Sequence, residues 1–154
     1  MRKSDREITN SNVIDDIIRR CRVCRLGLSD DGQPYVVPMN FGYDGHALYF
    51  HGALEGRKID IIRKNSRVCF EFDILVDMIK AEAACDWGTR YQSVIGFGTA
   101  EIISELEAKT EALGIIMAQY SGRRYTFPEP IVNETALIKV NIEKMTGKSV
   151  GVEE

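Results

Sequence analysis

The chain has 154 residues, 44% of them hydrophobic, with a formal net charge of −3 and a pI near 5.5. That length carries one domain with a full core and is short for two ordinary ones, so residues 1–154 are expected to form a single domain. The acidic balance gives no long-range attraction to nucleic acid or an anionic membrane surface, and no apolar run approaches the ~20 residues of a bilayer-spanning helix.

The charged start Met1-Arg2-Lys3-Ser4-Asp5-Arg6-Glu7 is followed by no continuous apolar stretch of a secretory leader, which predicts a cytoplasmic protein. Apolar Val13, Ile14, Ile17, Ile18 and Cys21 then recur with helical spacing. Asn10 or Asn12 can cap that helix, and Arg19, Arg20 and Arg22 suit its C-terminal end. It is a packing helix with no chemistry of its own. Val23 to Ser29 alternates as a strand, and Asp30-Asp31-Gly32 turns it into the next one.

Cys21-Arg22-Val23-Cys24 is formally a CxxC, and Cys69 and Cys85 complete the cysteines. Zinc would require a second close pair, whereas Cys69, Cys85, His46 and His51 are scattered singly. A redox dithiol sits at a helix N-terminus, and this pair falls where a helix ends. Ordinary buried thiols and no metal site are expected.

Pro34-Tyr35-Val36-Val37-Pro38-Met39-Asn40-Phe41 and Leu48-Tyr49-Phe50-His51-Gly52, joined through Tyr43-Asp44-Gly45, read as an antiparallel hairpin. Pro34 and Pro38 cannot donate to a ladder, which makes their strand an edge or a broken one. A short helix follows from Gly56 to Lys64, opening with Arg57 and Lys58, where the helix dipole disfavours cations by about 0.3–1 kcal/mol each. A bound phosphate would compensate them, with His51 facing the same space. Pairing with Glu55 or Asp60 would compensate them equally well.

Arg67 to Asp73 alternates as a strand, and residues 74–84 fit either a loop with a helical turn or a continuation of it. Cys85 to Arg90 reads as an irregular connection whose Trp87 is expected to plug the core. The β run from Tyr91 to Ile103 is interrupted by Gly96 and Gly98, marking a bend or a close approach. Neither Gly96-Phe97-Gly98, with Glu101 at the third glycine position, nor Thr146-Gly147-Lys148-Ser149, with Ile142 at the first, is a nucleotide-binding loop. Ser104-Glu105-Leu106-Glu107 reads as a capping box opening a helix that Gly122 ends. Arg123 to Pro130 reads as a solvated loop, and Thr135 to Ile142 as a closing strand. Five or six strands in hairpin order indicate an antiparallel barrel or sandwich with flanking helices.

Four stretches carry a resemblance: residues 34–41; Leu48 to Gly52 with Gly56-Arg57-Lys58; Tyr91-Gln92-Ser93-Val94-Ile95-Gly96-Phe97-Gly98; and Thr146-Gly147-Lys148. In order and spacing the chain resembles the FMN-binding split-barrel proteins related to pyridoxamine 5′-phosphate oxidase, and among them the nitroimidazole-resistance (Nim-type) branch. The resemblance implies a mainly β fold with flanking helices, a six-stranded antiparallel split β-barrel, paired as a homodimer with FMN at the subunit interface. Carried onto this chain, it implies that Arg57 and Lys58 hold the FMN phosphate. Val36, Val37, Pro38, Met39 and Asn40 would line the isoalloxazine ring, His51 would lie beside the cofactor as the catalytic candidate, and Tyr91, Gln92 and Ser93 would approach the flavin.

The implied function is an FMN-dependent oxidoreductase, a reductase of small aromatic or nitro compounds. A flavin-storing or haem-binding protein without turnover is the alternative, and a deazaflavin-dependent reductase a further one. The sequence stops soon after Lys148, without the Arg- and His-bearing segment that holds pyridoxal phosphate in the oxidase, so oxidation of pyridoxamine phosphate is not expected.

Overall fold

A computed structural model describes residues 4–152, so the leader expectation rests in part on residues outside the described ones. After a single 3-10 turn at Ser4–Arg6 come β1 (Glu7–Ile8) and α1 (Ser11–Arg20). The Asn10 side chain accepts the Asn12 N–H at 3.0 Å and caps α1, whose Ile14, Ile17 and Ile18 are buried, as their spacing predicts. Then follow β2 (Cys24–Asp30), β3 (Gln33–Met39), β4 (Gly42–Tyr43), β5 (Ala47–Ala53) and α2 (Arg57–Lys64). The chain continues through β6 (Arg67–Ile79), β7 (Gly88–Ile103), α3 (Leu106–Ser121), α4 (Glu129–Asn133) and β8 (Thr135–Val150). No helix among the described residues is long and apolar enough to cross a membrane.

All pairings are antiparallel in one eight-stranded sheet of order β3-β2-β6-β7-β8-β5-β4, with β1 also on β8. The sheet has eight strands and not the six expected, of which six are seven residues or longer. β1 and β4 are two-residue additions, too short to leave an alternation in the sequence. The path ends at β3 and β4, which do not pair with each other, so the sheet is not closed.

The expected hairpin between the Pro34 and Leu48 stretches does not form. β3 pairs with β2 through Asp31-Gly32, whose φ values of 49° and 86° make a mirror-image two-residue turn suited to twisted strands. Tyr43-Asp44-Gly45 instead joins β4 to β5. The reason lies in Phe41, which is fully buried with its ring 4.8 Å from that of Phe72 and leads the chain through the core to the far end of the sheet. The Asp44 carboxylate holds the β4–β5 turn by accepting the N–H groups of His46 and Ala47 and the Tyr49 hydroxyl, each at 2.8 Å.

The ambiguous 74–84 segment is largely strand: β6 runs on to Ile79, with a 3-10 turn at Ala84–Asp86 before β7. There β6 and β7 pair beyond the barrel body and leave Leu75, Val76, Met78 and Ile79 exposed, so no alternation survives to be read. Trp87 is 50% exposed, not a core plug, and its Nε1–H donates to the Ala81 carbonyl at 2.7 Å. The capping box also fails: Glu105 is the N-cap and no side chain caps α3. α4 interrupts the loop expected before Pro130, and β8 extends eight residues past Ile142.

The main core joins α1, α2 and the inward residues of β2, β3 and β5–β8, including Leu26, Phe50, Phe70, Phe72 and Val94. Gly96 is required here, because a Cβ would enter the Phe70 ring. A second cluster, Ala47, Tyr49, Ala112, Ile116 and Leu137, fixes α3 on the outside of β5 and β8.

Candidate functional site

α2 begins with Gly56 at φ 127°, a conformation L side chains rarely adopt, and no side chain caps it. Its first main-chain bonds run from Ile59 and Asp60 back to Gly56, so the N–H groups of Arg57 and Lys58 stay open. The Arg57 guanidinium stacks 4.6 Å from the Tyr35 ring centroid, tying the start of α2 to β3. The Lys58 side chain lies against Gly52 at the end of β5, where a Cβ would stand 2.9 Å from its Nζ. Among the described residues neither cation has a carboxylate within 4 Å: Asp60 pairs with Arg63 at 3.9 Å and Glu55 pairs with neither of them. Two cations and open N–H groups thus stand at the start of α2 with no carboxylate partner among the described residues.

Beside it runs the free edge of β3. A two-residue turn of this kind is closed by a hydrogen-bonded pair, here Asp30 and Gln33, and the alternation then turns the main-chain groups of Pro34, Val36 and Pro38 away from β2. Proline has no N–H, so this edge offers the carbonyls of all three residues and only one donor, the N–H of Val36. The edge position expected from Pro34 and Pro38 is the one observed. The side chains divide: Val36 (62% exposed) and Pro38 point outward, whereas Met39 is buried and Val37 packs on the core. Asn40 is exposed, its side-chain amide donating to the Arg22 carbonyl at 3.4 Å.

His51 is exposed on β5. Strand alternation puts it on the face of Ala47 and Tyr49, opposite the side of Gly52 against which Lys58 lies. Within one chain, Lys58 and His51 therefore leave β5 on different sides. Tyr91, Gln92 and Ser93 divide likewise. Gln92 is buried and its side-chain Oε1 accepts from the Arg20 guanidinium at 3.5 Å, while Tyr91 and Ser93 lie on the outer face.

That outer face can be mapped from the strand register. One row runs Val36, Gly27, Cys69, Phe97, Lys144; the next Pro38, Arg25, Glu71, Ile95, Thr146; then Asp73, Ser93, Lys148; and Leu75, Tyr91, Val150. Arg25 donates to both Glu71, at 3.0 Å, and Asp73. Burial and the neighbouring Asp73 hold the Glu71 carboxyl above its ordinary value. Val36, Leu75, Ile95 and Phe97 stand exposed on it, while α1 and α2 pack on the opposite, core side.

Both thiols of the CxxC pair are buried. Burial, with Asp73 and Glu71 nearby, pushes the Cys21 thiol up to about 11, and burial raises that of Cys24 further. The expectation of buried thiols holds for these two; Cys69 is half-buried and Cys85 exposed. Among the described residues no three or more His, Cys, Asp or Glu side chains gather as a metal ion would need. The sequence reading had missed Tyr35, which seats Arg57. Tyr35 continues the inward row of Val37 and Met39, and nothing in that pattern announces a cation on its ring.

Residues 10–149 match the family described as pyridoxamine 5′-phosphate oxidase. Among solved structures, a Bacteroides thetaiotaomicron protein provisionally described as a 5-nitroimidazole antibiotic resistance protein is 36% identical, with a TM-score of 0.84 over 92% of this chain and 85% of that one. A FAD and heme binding protein from Mycobacterium smegmatis shares the fold at 21% identity, with a TM-score of 0.84 over 96% of this chain and 74% of its own. A FAD-binding protein from Mesorhizobium loti does so at 23% identity, with a TM-score of 0.71 over 95% of this chain and 98% of its own. No curated protein sequence matches.

Proposed function

Because the chain belongs to the pyridoxamine 5′-phosphate oxidase-like family, we propose that it is a flavin-dependent oxidoreductase that binds FMN and reduces small aromatic or nitro compounds. The observation that carries this reading is the start of α2, where Arg57 and Lys58 stand without carboxylate partners around open N–H groups, next to the free edge of β3. A phosphate monoester fits that arrangement in charge and in donors.

Arg57, held in place by Tyr35, and Lys58, backed by Gly52, take the phosphate. The β3 edge suits the pyrimidine end of an isoalloxazine ring, which has one donor, N3–H, and several acceptors: one of the edge carbonyls, from Pro34, Val36 or Pro38, would accept from N3–H, and the Val36 N–H would donate to one of the acceptors. Val36 and Pro38 supply apolar surface to the ring, while Val37 and Met39 brace the strand from the core side. Asn40 closes its end. When bound, the flavin supplies the electron transfer, and the protein's part is to seat it, exclude water and place the acceptor.

The exposed apolar residues Val36, Leu75, Ile95 and Phe97 share an uncovered sheet face, which supports a homodimer packed through that face. In such a dimer Tyr91 and Ser93 of one copy approach the flavin held by the other, and Gln92, anchored to Arg20, stiffens their strand. His51 holds or moves a proton beside the acceptor. The likeness to the 36% identical Bacteroides protein supports the nitro-compound class.

The test is flavin content of purified variants. Replacing both Arg57 and Lys58 by Ala should remove bound FMN, a loss of at least about 100-fold in affinity, without lowering the thermal midpoint by more than a few degrees. Unchanged flavin stoichiometry rejects the phosphate site. In the same series His51→Ala should keep the flavin and slow nitroimidazole consumption under anaerobic reduction; wild-type turnover removes His51 from the chemistry. A flavin-loaded wild-type protein that consumes no acceptor is a binding protein and not an enzyme.

A further inference from the structure

The ladder between β2 and β3 stops at Cys24 and Met39. Counted from the hydrogen-bonded pair Asp30 and Gln33, every second pair exchanges main-chain bonds, so Cys24 with Met39 is one of them and Arg22 with Phe41 would be the next. That next bond is replaced. The Phe41 N–H donates to the Tyr120 hydroxyl at 2.9 Å, and the same hydroxyl donates to the Arg22 carbonyl at 2.9 Å. One side-chain oxygen from the last turn of α3 is inserted where a main-chain N–H and C=O would have met directly.

Tyr120 is itself held in place. The Arg22 guanidinium lies 5.9 Å from its ring centroid and donates to the Gln119 carbonyl at 3.1 Å, and the Gln119 side-chain amide donates to the carbonyls of Arg19 and Cys21 at 2.9 and 3.2 Å. These bonds tie the end of α3 to the corner between α1 and β2. Across the opening, the Asn40 side-chain amide reaches the same Arg22 carbonyl at 3.4 Å. The Phe41 ring, fully buried, meets the Tyr120 ring edge-on with centroids 6.5 Å apart.

We infer that Tyr120 is a positioning residue for the free edge of β3. That strand is held along one side only, by β2, so the place of Pro38, three residues before Phe41, depends on where the ladder opens. The inserted hydroxyl fixes that place. Without it the Phe41 N–H loses its acceptor and the Arg22 carbonyl its shorter donor, and the end of β3 is released. As a determinant of cofactor binding this rests on the flavin reading above, whereas the hold on β3 stands on the hydrogen bonds alone. α3, packed on the far side of the sheet, then sets a site it does not touch.

The test compares the purified full-length wild type with Tyr120→Phe, which keeps the ring, and with Leu113→Ala, which loosens α3 in the second cluster without touching Tyr120. Tyr120→Phe should bind FMN about tenfold more weakly and shift the visible absorption band of the bound flavin. Amide hydrogen exchange across residues 38–42 should quicken in the same variant. Leu113→Ala should lower the thermal midpoint at least as far, yet keep the wild-type FMN affinity, spectrum and exchange. Wild-type values in Tyr120→Phe, or equal changes in Leu113→Ala, overturn the inference. If the wild-type protein takes up no FMN, the flavin reading falls by itself, and exchange alone then decides: faster in Tyr120→Phe only supports the hold on β3, and equal rates defeat it.

Discussion

The two outer surfaces of the same sheet are built on opposite terms. Over β4, β5 and the first half of β8 the strands carry small residues, and α3 lies directly on them: the main chain at Ile115 and Ile116 comes so close to Gly42 that a Cβ there would stand 2.6 to 2.8 Å away. Tyr49 reaches across this side to Asp44, so its polar atom is satisfied inside the packing. On the outer face of β3, β2, β6 and β7 Val36, Ile95 and Phe97 stand exposed, while α1 and α2 pack against β2, β6 and β7 from the core side. The first surface is finished within the chain. The second has the composition of an interface, and Val36, Pro38, Tyr91 and Ser93 of the residues proposed for flavin lie on it.

The largest way to break this contrast is on the covered side. Gly42→Val should push α3 off the sheet and cost about 2–3 kcal/mol in urea denaturation, because backbone cannot move aside as a flexible side chain can. A loss below about 0.5 kcal/mol would show that α3 is only loosely attached. On the open side the response should be association instead of stability. Ile95→Lys, facing Glu71, together with Phe97→Glu, facing Lys144, should yield a monomer by size-exclusion chromatography with light scattering. Each new charge lies opposite its counter-charge, so monomer stability should stay within about 1 kcal/mol of the wild type. Dimers that persist in that variant would place the contact elsewhere.

The smallest effect concerns pH. Burial alone would raise the Asp44 carboxyl, but the N–H groups of His46 and Ala47 and the Tyr49 hydroxyl outweigh it and hold the group below its ordinary value of 3.8. A carboxyl depressed by folding stabilises the protein above its unfolded-state value, and the contribution fades as pH falls through the folded-state one. Acidification through that range should therefore lower the thermal midpoint of the wild type more steeply than that of Asp44→Asn. Parallel slopes would remove Asp44 as the source.

Local chemistry was legible in the sequence wherever it acts over a few residues. The spacing of Ile14, Ile17 and Ile18, the Asn10 cap, the Asp31-Gly32 turn, the prolines of β3 and the cations at the start of α2 all appear where their residue types predict. Pairing was not legible, because the choice of β2 over β5 as the partner of β3 is made by Phe41 crossing the core, a contact no window of neighbouring residues contains. The β6–β7 extension was hidden for a different reason: with both faces wet, Leu75 to Ile79 show no period. In the candidate site the two cations at the start of α2 could be read from Arg57 and Lys58. Tyr35 beneath Arg57 depends on an inter-element neighbour, which only the folded sheet defines.

The prolines of β3 also govern how many copies of this chain can join. An incoming strand laid along that rim would meet two ring nitrogens where it needs donors, so growth by adding strand upon strand stalls at its first step. The proposed contact, broad side against broad side, does not use that rim, and a twofold axis would complete it after a single partner.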